Sequence, residues 1–255
     1  MSEEFKIILI FLIGIVSAYL WCFSSGGVSA LSFGMLTFLG IPPQMATITV
    51  KLGKIGDIMG WLWVFYKNRH INSKYFFISG PISMLGSFLG TYLMFSLPDW
   101  IIYFVSAVSM IVLTIVSYKK KIGFQKSATP PSQLRVNIWY ITLFFLTIIG
   151  NLFIAGSGVW YYFANTYLLK VSSLESKAIA TVNSLPWFFG ALWGALVQWR
   201  FHIGWTLSLI LGMFIGWYFW TKKLLVMNTV LLTKIILSSI IIFSLYFLYK
   251  AYITF

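Results

Sequence analysis

Three charged residues interrupt an otherwise apolar stretch at residues 43–66: Lys51, Lys54 and Asp57, at three-residue steps. On a helix, Lys51 neighbours Lys54, and Lys54 neighbours Asp57. An isolated charge at the centre of a bilayer costs at least about 2.5–3.5 kcal/mol on insertion scales, so such residues face a protein interior or water. Lys54 and Asp57 read either as a mutually neutralising ion pair or as a coupling site, with Asp57 able to carry a proton. Lys51 stands close to Thr49 and has no acid partner on its helix, which makes it the candidate for holding an anion. Two Gly/Ser breaks offer a second chemistry. Phe23-Ser24-Ser25-Gly26-Gly27 and Ala155-Gly156-Ser157-Gly158 each interrupt an apolar run and precede a short one. Unpaired backbone cannot face lipid, so such a break is buried or lines a cavity. The helix it opens presents free N–H groups and a partial positive charge, and glycine lets a ligand approach the backbone closely. Ser25, Gly26 and Gly27, with Gly156, Ser157 and Gly158, are therefore expected to cradle an anion. The other reading is that these small residues only permit close helix packing.

The elements that position these groups follow from composition. Of 255 residues, 60% are apolar and only 9% charged, against about 25% charge in a soluble domain. A soluble enzyme, a disordered chain and a disulfide scaffold are excluded; the single cysteine, Cys22, reads as a packing residue. Apolar segments run at 5–22, 27–40, 43–66, 76–96 and 99–118, then at 136–155, 158–170, 174–199, 203–220 and 227–250. They are continuous rather than alternating, which argues against a transmembrane barrel. The expected fold is all-α: a polytopic membrane helix bundle in which eight segments of about 20 residues span. Segments 27–40 and 158–170 are short and follow the breaks, so they are expected to be half-helices. Segment 5–22 is read as a helix and not a signal peptide, because no small-x-small cleavage site follows it.

The order of motifs repeats. Leu85-Gly86-x-Phe88-x-Gly90-x-Tyr92 returns as Leu211-Gly212-x-Phe214-x-Gly216-x-Tyr218. Ser25-Gly26 matches Ser157-Gly158, and Ala46 and Thr49 match Ala178 and Thr181 at an offset of 132 residues, which pairs Lys51 with Asn183. Thr49, Thr181 and Asn183 join Lys51 as expected anion contacts. The halves are 1–121 and 133–255, joined by a linker at 122–132 within the basic, Pro-, Ser- and Thr-containing run from Lys119 to Arg135. Gly86/Gly90, Gly190/Gly194 and Gly212/Gly216 read as helix-packing pairs.

If the linker is cytoplasmic, 12 of the 18 basic residues fall inside and only Lys6, Arg200 and Lys250 outside. The two halves are then inverted with respect to each other, an arrangement typical of transporters. This distribution also accounts for the formal net charge of +13 without nucleic acid. Lys234, alone in its apolar segment, is expected to snorkel to an interface. Trp61, Trp63, Trp100, Trp199, Trp205 and Trp220 lie near segment ends and are expected to form an interfacial belt. No enzymatic, metal-binding or cofactor motif stands out; His70 and His202 lie in loops far apart in sequence.

The run from Gly26 to Ala46, with its Gly-rich break, short helix and Leu39-Gly40-Ile41-Pro42 turn, followed by Thr49, resembles the TauE/SafE family, also called TSUP. The repetition of that run and the two Gly-x-x-x-Gly helices fit the same family, and the likeness covers nearly the whole chain. The resemblance implies a secondary transporter for sulfite or a short organosulfonate in the cell (plasma) membrane. The first half carries Ser24-Ser25 where the family has a denser glycine run, and Asn165 stands where the second half would carry a proline. An anion channel and a non-transporting membrane protein are the competing readings. Substrate, direction, coupling ion and oligomeric state are not legible in the residues.

Overall fold

The computed structural model describes residues 2–21, 28–67, 76–119, 131–153, 157–220 and 229–255. Among them are eleven helices: α1 (Glu3–Trp21), α2 (Val28–Phe38), α3 (Pro43–Gly53), α4 (Ile55–Lys67), α5 (Phe76–Met94), α6 (Asp99–Lys119), α7 (Gln133–Leu152), α8 (Ser157–Leu168), α9 (Ser173–Val197), α10 (Ile203–Trp220) and α11 (Thr229–Thr254). No strand occurs among the described residues. In lipid a backbone group must find its partner within the protein, and a helix does so within one segment. Of the linker, only Pro131 and Ser132 are described.

The distribution of side chains is inverted relative to a soluble protein. Phe77, Ile141 and Ile242 are 77%, 61% and 65% exposed, whereas Ser79, Ser83, Ser87 and Thr91 of α5 are fully buried. Those four lie at four-residue steps, so they form one stripe along α5. Small polar residues inside and large apolar residues outside are what a lipid solvent selects. Phe76–Met94, Gln133–Leu152 and the Ala178–Val197 part of α9 are long and apolar enough to cross a membrane.

Helix ends follow local chemistry. Gly40 has a φ of +78°, and the bonds Gly40 N–H to Thr37 O (3.0 Å) and Ile41 N–H to Leu36 O (3.2 Å) close α2 in a Schellman turn. Pro43 then opens α3, where a missing N–H is harmless. The short α2 and α8 match the two expected half-helices. Ser172 caps α9: its hydroxyl accepts from the Glu175 N–H, and its own N–H donates to Glu175 Oε2 at 3.0 Å.

The stretch 43–66 is not one unbroken helix, although Lys54 at the division is itself in helical conformation. It breaks at Lys54 into α3 and α4. Lys51 stands in the last turn of α3 and Asp57 in the first turn of α4. Each charge thus complements the partial charge of its own helix end, which favours two helices over one. The matching α9 continues unbroken through Pro186. The belt expectation also fails at Trp205. It is buried, its Nε1 donates to Glu3 Oε1, and its ring stacks on His202 at 4.4 Å between centroids.

Packing runs between the halves more than within them. α1 lies on α10, α5 on both α7 and α9, α10 on α3 and α4, and α6 on α11. The glycine pairs sit at these contacts. A Cβ on Gly86 or Gly90 would meet the carbonyl of Phe144 or Ile148 of α7; on Gly212 or Gly216 it would meet that of Phe11 or Ile15 of α1. A Cβ on Gly190 would meet the Met84 carbonyl of α5, and one on Gly56 the Ile210 carbonyl of α10.

Candidate functional site

Lys51 is buried in α3, and its ammonium donates to the backbone carbonyl of Asn151, in the last turn of α7. A cation at that point meets the negative end of α7. It also lies just before residues 154–156, where the second Gly/Ser break falls. The Asn151 side chain is itself fixed: its Nδ2 donates to Thr147 O at 2.8 Å and its Oδ1 accepts from Thr91 Oγ1 at 3.3 Å.

Thr49 does not share this position. It is two residues from Lys51, about 200° round the helix. It lies instead on the face of Gly53, which Leu209 of α10 packs against. The threonine on the Lys51 face is Thr47, four residues earlier. Both hydroxyls are fully buried and neither has a hydrogen-bond partner in the protein. Asn183 is buried in α9, and its Oδ1 accepts from Ser79 Oγ at 2.7 Å. Thr181, two residues away and half-buried, lies on another face of α9.

Lys54 and Asp57 open onto a small cavity that Ser17, Ser29, Ser32 and Met213 also line. It has about 10 Å³ of space for a water centre, enough for one water molecule. Ser29 belongs to the first turn of α2, which follows the first Gly/Ser break in sequence. Ser32 Oγ donates to Ser17 Oγ at 2.7 Å, tying α2 to α1. Lys54 is attracted by Asp57, and Lys51 and Lys54 repel each other. Lys51, Lys54 and Asp57 follow one another at three-residue steps, with Lys54 and Asp57 on one cavity wall.

The chain matches the sulfite exporter TauE/SafE family over residues 7–247. It belongs to that family. This TauE/SafE member is thus a membrane protein of a transporter family, not of an enzyme family. No curated protein and no solved structure matches the chain.

Of the expected contacts, Ser25, Gly26, Gly27 and Gly156 lie outside the described residues. Ser157 and Gly158 form the first turn of α8, described in its backbone only. Sequence reading missed Asn151, Thr91 and Thr47. The four-residue step from Thr47 to Lys51 was the signal for the last.

Proposed function

We propose that this TauE/SafE protein is a secondary transporter that exports a small sulfur-containing anion, such as sulfite or a short organosulfonate, across the plasma membrane. The observation that carries this reading is the set Lys51, Lys54 and Asp57, of which Lys51 and Asp57 are buried and Lys54 is half-buried. Ionisable side chains in a membrane interior are costly unless they serve a partner or a ligand. Lys51 bonds to Asn151, which precedes the second break in sequence, and Lys54 shares a cavity with Ser29, which follows the first.

In this reading the substrate is held by the backbone of Ser25-Gly26-Gly27 and Gly156-Ser157-Gly158. Lys51 and Lys54 supply charge and Thr47 a hydroxyl, with Thr49, Thr181 and Asn183 outside direct contact. With a negative interior, each anionic charge that leaves gains about 2.3 kcal/mol per 100 mV, so export needs no coupling ion.

The halves are read as multi-pass inverted repeats at 1–121 and 133–255. Support comes from the glycine contacts. Phe144 and Ile148, met by Gly86 and Gly90, lie 133 residues after Phe11 and Ile15, met by Gly212 and Gly216. Met84 and Ile210, met by Gly190 and Gly56, stand 126 apart, the same offset that relates Gly86 to Gly212.

The test is thermal stability of the purified protein during titration with sulfite, methanesulfonate, sulfate, thiosulfate and acetate, followed by flux in proteoliposomes. A ligand at 100 times its Kd stabilises by about 2.7 kcal/mol. Stabilisation by a sulfur oxyanion, lost in Lys51→Ala, is expected, with saturable flux and trans-stimulation. Stabilisation by none of these anions would overturn the assignment; unsaturable flux would identify a channel.

A further inference from the structure

The second half of the bundle holds buried hydrogen-bond donors that the chain itself does not use. Ser83 of α5 and Tyr161 of α8 are both buried, and neither hydroxyl has a hydrogen-bond partner in the protein. The Trp187 indole N–H of α9 is likewise buried and unpartnered, and the Trp187 ring stacks on that of Tyr161 at 5.4 Å between centroids. We propose that Tyr161, Ser83 and Trp187 form an uncharged subsite that donates hydrogen bonds to the oxygen atoms of the transported oxyanion. The proposal rests on the transporter reading above and extends its binding site into the second half.

Neighbouring contacts hold these groups in place. Ser79 Oγ donates to Asn183 Oδ1 at 2.7 Å, and Ser87 Oγ donates to the Trp187 carbonyl at 2.6 Å. Ser83 stands between them on the same stripe of α5, one turn from each. The Tyr161 hydroxyl lies against Ser83 and Thr147, in hydrogen-bonding geometry with neither. Thr147 has no hydrogen to offer it, because its hydroxyl donates to the Leu143 and Phe144 carbonyls at 3.0 and 2.7 Å. Other buried polar groups of the same cluster are satisfied. Trp139 Nε1 donates to Asn165 Oδ1 at 2.8 Å, and Asn165 Nδ2 donates to the Ser176 carbonyl at 3.2 Å. A buried donor without an acceptor carries its full desolvation penalty. An indole N–H can only donate, so what Trp187 lacks is an acceptor.

Position and charge point to the substrate as the source of that acceptor. Thr147 lies one turn, about 6 Å, along α7 from Asn151, whose carbonyl receives Lys51. Tyr161 stands 132 residues after Ser29, the offset that relates Ser25 to Ser157, and Ser29 lines the cavity of the first half. Equivalent positions of the two halves thus each place a hydroxyl in the interior. No Asp, Glu, Lys, Arg or His occurs in 76–94, 136–152, 157–168 or 178–197. The subsite therefore recognises oxygen atoms by hydrogen bonds alone. An ionised oxygen makes such bonds roughly twice as strong as a neutral one does, which favours an oxyanion over water as the occupant.

The experiment is thermal stability of the full-length protein during titration with methanesulfonate and with sulfite, in Tyr161→Phe, Ser83→Ala and Trp187→Phe. Each variant removes one donor. Without ligand, each is expected to raise the melting temperature by about 2–4 °C, because an unpaired buried donor is gone. The anion concentration at half-saturation is expected to rise about tenfold or more. Trp139→Phe is the control. It breaks a satisfied indole bond in the same cluster, so it is expected to lower the melting temperature and leave affinity unchanged. Affinity within about twofold of the parent in Tyr161→Phe and Ser83→Ala would overturn the proposal and leave the transporter reading intact. So would an equal loss of affinity in Trp139→Phe. A lower melting temperature in all three donor variants would show that a fixed water already satisfies these groups, and would overturn the proposal in the same way. A parent protein stabilised by neither anion would overturn both.

Discussion

The Lys51 ammonium donates to the backbone carbonyl of Asn151, joining the first half of the chain to the second across 100 residues. Lys51→Met removes the charge and leaves that carbonyl buried without its donor. Loss of a buried partner costs about 1–3 kcal/mol. Lys51→Met is therefore expected to lower the melting temperature moderately and to reduce anion flux by at least about tenfold, since 1.4 kcal/mol is a factor of ten. Lys51→Arg restores the charge with a larger, planar donor and is expected to regain stability before it regains flux. Flux in proteoliposomes alongside a melting curve separates the two effects. Full flux in Lys51→Met would remove this residue from the site.

Thr47 and Thr49 make a controlled pair. Both hydroxyls are buried without a partner, but only Thr47 lies one helical turn from Lys51 on the same face. Thr47→Val keeps the shape and removes the hydroxyl. It is expected to weaken anion binding by about three- to tenfold, the worth of one hydrogen bond of roughly 0.5–1.5 kcal/mol. Thr49→Val is expected to leave affinity unchanged. Isothermal titration of both variants with the best-binding anion compares them directly. An effect of Thr49→Val as large as that of Thr47→Val would place the substrate on the other face of α3.

The sequence disclosed most of the bundle. Uninterrupted apolar runs give the helices and their approximate ends except within 43–66, and glycine followed by Ile41-Pro42 gives the turn after α2. It disclosed the charged residues of the site but not their partners. Lys51 donates to a backbone carbonyl, a group every residue possesses, so no side-chain type announces Asn151 as its acceptor. The break at Lys54 was hidden for a related reason. Val50, Leu52, Ile55 and Ile58 read as continuous helix. The stop is favoured by Lys51 and Asp57 complementing the two helix ends. Trp205 was misplaced because an indole near a segment end suits an interface as well as a clasp. Glu3, 202 residues away, decides for the clasp.

That clasp brings Glu3 within 3.4 Å of His202 Nε2, with both side chains about half exposed (49% and 41%). Solvent-exposed pairs contribute about 0–1 kcal/mol. Glu3→Gln keeps an acceptor for Trp205 Nε1 and removes the charge, so it is expected to shift the melting temperature only slightly. Glu3→Ala also removes the acceptor from a buried indole N–H and is expected to cost more. A melting-temperature loss in Glu3→Gln as large as that in Glu3→Ala would show that the Glu3 carboxylate charge, and not the indole bond, holds α1 to α10.

The glycine contacts give a prediction about the architecture itself. A Cβ on Gly90 would meet the Ile148 carbonyl of α7, and one on Gly216 would lie 2.6 Å from the Ile15 carbonyl of α1. Backbone cannot yield as a flexible side chain does, so Gly90→Ala and Gly216→Ala must each push two helices apart. Overpacking of this kind costs about 1–3 kcal/mol per site. The two contacts join different helix pairs, so their effects are expected to add within about 0.5 kcal/mol. Gly40→Ala is the control. A Cβ there meets nothing within 4 Å, but the φ of +78° is unfavourable for alanine, so roughly 1 kcal/mol is expected from backbone conformation alone. If the two α-to-α contacts are equivalent elements of one repeated design, Gly90→Ala and Gly216→Ala should lower the melting temperature by similar amounts. A large loss at one and none at the other would mean that the halves, though alike in sequence, are not held together alike.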